Sequence, residues 1–119
     1  MTVAHDFDET VLLSLQKIGG AQLAQRMLEL FLEHTPQRLA SARTGFQEGD
    51  LEAVGRAAHS LKSTAGHLRI ARMQELAGII EQLAMNAQHD AIAEPLREME
   101  EVYARVAPVL SRHRSELDA

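Results

Sequence analysis

His59 is the side chain of this sequence best placed to do chemistry. From Leu51 to Leu68, apolar residues recur at Leu51, Val54, Ala58, Leu61, Ala65 and Leu68, in steps of three and four, which is the spacing of one helix face. At about 100° per residue, His59 falls roughly 140° from the centre of that face, so it is expected to face water. Its neighbours on the helix surface are Gly55 at i−4, Lys62 at i+3, Ser63 at i+4 and Gly66 at i+7. Each glycine inside a helix destabilises it by roughly 1 kcal/mol relative to alanine. Two glycines and a serine around one exposed imidazole clear the surface for close approach by another protein. Lys62 stands out because the chain has ten arginines and only two lysines.

An exposed histidine beside a cation suits phosphoryl transfer. Neutral imidazole, the larger fraction of an ordinary histidine at pH 7, is a nucleophile that can carry a phosphoryl group as a phosphoramidate. The reaction needs mainly positioning and charge neutralisation. Lys62 is a flexible point charge one turn away, able to follow phosphoryl oxygens, and Arg56 at i−3 is placed to dock an acidic partner. Each feature also has a plainer reading: a surface histidine, solvated Lys62 and Arg56, and glycines that serve helix packing.

Other chemistries lack their residues. There is no cysteine, which removes disulfides, thiolate metal sites and thiol catalysis. The remaining histidines, His5, His34, His67, His89 and His113, contain no i, i+3 or i, i+4 pair, and no Glu-x-x-His occurs, so no metal site is expected. Neither a Walker loop nor a glycine-rich nucleotide loop is present. A carrier is therefore expected, with no intrinsic cofactor and no autokinase activity. A net charge of −5 over 119 residues argues against nucleic-acid binding. The acidic segment Met1 to Asp8 does not read as a signal peptide, and no apolar run is long enough to span a membrane. A cytoplasmic location follows as the expectation.

The elements that must position His59 read as helices throughout. Ala, Leu, Glu, Gln and Arg dominate, and no stretch alternates with period two, so strands are not expected. A short first helix starts near Asp8 or Glu9, carries Val11, Leu12, Leu15 and Ile18, and stops at Gly19-Gly20. A long segment from about 22 to 47 holds Leu23, Met27, Leu28, Phe31, Leu39, Ala42 and Phe46 in register across Pro36, which predicts one kinked helix. Gly49 breaks it and Asp50 caps the helix of His59. A further stripe runs Met73, Leu76, Ala77, Ile80, Leu83, Ala84 and Ala87. Residues 86–90 form a polar turn with Asp90 as a cap, and the last helix carries Ile92, Leu96, Met99, Tyr103, Val106 and Leu110. The expected fold is all-α: an antiparallel four-helix bundle with an additional short N-terminal helix. It forms one domain over 1–119, with an ordered core of about 8–110 and a fraying polar tail at 112–119.

The run Ala58-His59-Ser60-Leu61-Lys62-Ser63-Thr64-Ala65, followed by Leu68 and then Met73, Leu76, Ile80 and Glu81, resembles the histidine-containing phosphotransfer domain family of two-component phosphorelays. The similarity extends over roughly residues 8 to 110. It implies that His59 is the phosphoacceptor and that Lys62 assists the phosphoryl group. It also implies partners that are receiver domains of response regulators or hybrid histidine kinases, with magnesium expected in the partner. Two positions depart from the family pattern. Ser63 stands where glycine is commoner, and Arg69 replaces the glycine usual after Leu68, where a left-handed backbone is costly for a side chain. Docking is expected over Gly55, Arg56, Ser63 and Gly66, on a monomer. Two other readings use the same fold: a non-phosphorylated adaptor that regulates a receiver or kinase, and the phosphoacceptor domain of a larger chemotaxis-type or hybrid kinase.

Overall fold

Apolar stripes that repeat every three or four residues can be buried only against one another, and the computed structural model, described for residues 6–118, shows how this is done. Four α-helices follow in order: α1 (Thr10–Glu48), α2 (Leu51–His67), α3 (Ala71–Met85) and α4 (Ala93–Asp118), with a 3-10 turn at Asp90–Ile92 before the last. No strand occurs among the described residues. Helix α1 packs on α2 and α4, and α3 packs on the same two, so the helices close a ring around one core. His5, the start of the acidic segment Met1 to Asp8, and Ala119 lie outside the described residues.

Helix α1 consists of two helical limbs that meet at a kink where Gly19-Gly20 was expected to end the first helix. Gly19 (φ −139°, ψ 17°) and Gly20 (φ 76°, ψ −176°) leave helical geometry, yet the helix resumes at once. Val11 and Leu12 are buried ahead of the kink, whereas Ile18, expected on their stripe and last before the kink, is 78% exposed. Pro36 does not split α1. Its missing amide would have bonded the Leu32 carbonyl four residues back; the Tyr103 hydroxyl of α4 reaches that oxygen instead, at 3.4 Å.

The connections are short and specific. Gly49 ends α1 in a left-handed conformation, φ 73°, and the Asp50 amide bonds the Gly45 carbonyl at 2.8 Å. Asp50 then caps α2 as expected, its Oδ1 accepting the Ala53 amide at 3.1 Å. A side chain at Gly45 would lie 3.1 Å from both the Asp50 carbonyl and Val54 Cγ2, so any larger residue there would push against the tight α1–α2 corner. Arg69 does adopt the left-handed backbone that its side chain disfavours, φ 54°, and the Ile70 amide closes the turn on the Ala65 carbonyl at 2.9 Å.

Three expectations at the far end change. Ala87 lies beyond α3, exposed and with φ 55°, and so leaves the apolar stripe. Asp90 caps nothing; its carboxylate takes His89 Nδ1 at 3.0 Å. The polar segment expected to fray from 112 onward continues α4 to Asp118, with Leu117 packed against the core.

Candidate functional site

Helix α2 is rotated by its apolar face. Val54, Ala58, Leu61, Ala65 and Leu68 are buried, together with Ala57, and this leaves His59 on the outside with its side chain 68% exposed. The direction read from periodicity alone is the one observed.

The imidazole is exposed but not free. Its Nδ1 lies 2.7 Å from Oε2 of Glu81 on α3, and Lys62 Nζ donates to Oε1 of the same carboxylate at 2.7 Å. Glu81 thus joins the two α2 side chains through one half-buried group. The Lys62 ammonium, and after it the His59 ring, hold the Glu81 carboxyl below its ordinary value, so Glu81 is an anion at neutral pH. A carboxylate only accepts hydrogen bonds, which places the proton of a neutral His59 on Nδ1. Nε2 keeps the lone pair. Lys62 reaches Glu81 by laying its stem across α3 at Gly78, where a side-chain carbon would sit 3.6 Å from Lys62 Cδ.

Beside His59, a groove of about 480 Å³ runs between α2 and α3, with Leu51, Gly55, Ala84 and Met85 as its apolar walls and Arg56 and Glu81 on its edge. Met85 is 73% exposed and Ile79, on the same helix, 41%. Gly55 belongs to the groove, since a Cβ there would lie 3.7 Å from Ala84 Cβ. Arg56 is on the surface, paired with Glu52 at 3.2 Å, and Ser63 is exposed. Gly66 lies against α3. A Cβ there would lie 2.8 Å from Gln74 Nε2, so the missing side chain makes room for a glutamine of α3.

Glu81 is the functional side chain that sequence reasoning left without a role. Its signal was its position: it lies four residues after Ala77 and three before Ala84, both buried, so it stands at the edge of an apolar stripe. A charge at such an edge needs a partner. Which partner depends on how α3 lies against α2. Among the described residues, no three histidine, aspartate or glutamate side chains come together as a metal site would require.

The fold is all-helical and presents an exposed histidine on a rigid helix, with a cation and an apolar groove beside it. The Hpt domain pattern matches residues 26–108, and the chain belongs to the Hpt domain family. It works as a histidine phosphotransfer domain in a phosphorelay, and domains of this family are carriers that meet receiver domains. The fold is similar to that of histidine-containing phosphotransfer protein B (HptB) from Pseudomonas aeruginosa PAO1, with a TM-score of 0.87, 24% identity, and 95% of this chain and 97% of that one covered. No curated protein sequence matches the chain significantly. No helix among the described residues is long and apolar enough to cross a membrane.

Proposed function

We propose that His59 is the phosphoacceptor, and that a receiver domain delivers the phosphoryl group to its Nε2 and a second receiver removes it. One observation carries this reading: Nδ1 of an exposed histidine is held by an anionic carboxylate, which leaves Nε2 as the nucleophilic nitrogen. In the forward step Nε2 forms a bond to phosphorus while the bond from phosphorus to the receiver's aspartyl oxygen breaks, and the departing group is a free carboxylate. No proton need move. The ring becomes a phosphoimidazolium whose Nδ1–H points its charge at Glu81. In the return step an aspartate oxygen of the second receiver attacks phosphorus and neutral imidazole leaves.

Lys62 moves from Glu81 toward the phosphoryl oxygens as their charge arrives. Gly55, Arg56 and Ser63 form the docking face, with Gly66 at its border beneath Gln74. Any magnesium ion belongs to the receiver, and the carrier contributes no cofactor, no nucleotide site and no autokinase step. The remainder of the reading is an antiparallel four-helix bundle with its first limb, ahead of Gly19, as an end cap, acting as a cytoplasmic monomer.

The test is transfer of labelled phosphate from a phosphorylated receiver domain to wild type and to His59→Gln. Label that enters only wild type, is lost in acid and survives alkali establishes phosphohistidine at this position. A folded wild type that stays unlabelled by several receivers would instead make the chain a non-phosphorylated adaptor.

A further inference from the structure

A second groove lies on the other side of α2, against α1. It has a volume of about 290 Å³ and is lined by Arg38, Ser41, Ala53, Arg56 and Ala57. Its two charged groups are both arginines, in a chain whose net charge is −5. Arg38 is half-buried, and its Nε donates to Ser60 Oγ at 3.0 Å. A neutral hydroxyl does nothing for the charge. Among the described residues no carboxylate pairs with Arg38 and its terminal amino groups have no partner; the half-buried Arg43, by contrast, is held by Glu100 at 2.6 and 3.0 Å. A guanidinium partly withdrawn from water attracts a carboxylate more strongly than one in bulk solvent, and its fork matches two carboxylate oxygens.

The groove adjoins the site. Ser60 follows His59 on α2, and Arg56 lines both this groove and the apolar one. We propose that the α1–α2 groove receives an acidic side chain of the docking receiver domain, with Arg38 as the residue that selects for it. The partner surface would then be apolar where it meets Leu51, Ala84 and Met85 and acidic where it meets Arg38. This inference rests on the reading that a receiver serves His59. Arg38 does not serve the phosphoryl group itself: it is tied to Ser60 on the α1 side, whereas His59 is drawn toward α3 by Glu81.

The experiment compares the 119-residue chain as wild type, Arg38→Gln, Arg38→Lys and Ser60→Ala. The glutamine keeps a donor for Ser60 without the charge, and Ser60→Ala removes only that hydrogen bond. Each is labelled by a phosphorylated receiver at low and high salt, and separately by phosphoramidate, a donor with no docking surface. Arg38→Gln is expected to raise the receiver concentration for half-maximal transfer about five- to tenfold at low salt, with the difference shrinking as salt screens the pair. Labelling by phosphoramidate stays at the wild-type rate, Arg38→Lys recovers part of the loss, and Ser60→Ala changes little. Wild-type transfer by Arg38→Gln at low salt would overturn the inference, and so would equal slowing with phosphoramidate, which would assign Arg38 to the phosphoryl group. A wild type labelled by neither donor would remove the phosphoacceptor reading and this inference with it.

Discussion

At the scale of single residues, the site is a carboxylate shared by an exposed histidine and a cation. Glu81 bonds His59 and Lys62 at the same distance, 2.7 Å, so it sets the tautomer of one and the resting position of the other. Glu81→Gln keeps the shape and removes the charge. It can offer either an acceptor or a donor to Nδ1, so the tautomer is no longer dictated. Phosphotransfer is expected to slow by about tenfold or more, with helicity unchanged, and ¹⁵N shifts of the His59 ring should show a smaller share of the Nδ1–H form. An unchanged tautomer ratio would remove Glu81 from the mechanism. The carboxyl is held below its ordinary value in the fold, mainly by Lys62, so this contribution to stability is present above the unfolded carboxyl pKa and is lost as pH falls through the folded one.

At the scale of elements, the connections hold the strain and the pH sensitivity. Arg69 sits at φ 54°, and a glycine there relieves a left-handed side-chain conformation. Arg69→Gly should stabilise the fold by about 1 kcal/mol, read as a higher urea midpoint at constant slope. The α3–α4 connection is clamped by His89. Its Nε2 lies 2.8 Å from the Phe46 carbonyl at the end of α1, its Nδ1 3.0 Å from Asp90, and its ring stacks on Phe46 with centroids 4.6 Å apart. Both partners are acceptors, so only the imidazolium satisfies both. The Phe46 carbonyl, then Asp90, raise the His89 pKa, although Arg43, over the Phe46 ring at 5.7 Å, adds a cation nearby. A raised folded pKa gives stability that is complete below the unfolded histidine pKa and is lost as pH rises through the folded one. Denaturation midpoints of wild type should therefore fall across that window relative to those of His89→Gln; parallel curves for the two would contradict the clamp.

At the scale of the molecule, the ring of helices leaves one face of α2 and α3 open around His59, the face proposed for docking. Ser63 stands there exposed. Ser63→Trp should slow transfer from a receiver by about tenfold or more through steric exclusion, while the far-ultraviolet circular dichroism stays that of wild type. Transfer at the normal rate would show that the surface around His59 need not be clear. Gly66→Trp is a different case, because it must first displace Gln74, and is expected to lower stability as well as transfer.

What α2 does by itself was legible in the residues. The stripe from Val54 to Leu68 specifies its own rotation, so the exposure of His59, the neighbouring Lys62 and the Asp50 cap all follow from a repeat of 3.6 residues and local hydrogen bonding. What depends on two helices was not legible. Glu81 lies 22 residues from His59, and the contact exists only because α3 packs along α2, where the Lys62 stem passes Gly78. Ile18 was misread for the same reason: burial is decided by the partner that arrives, and Ile18, 78% exposed at the end of the first limb, meets none. Periodicity orients a side chain about its own axis, and only packing decides what it meets.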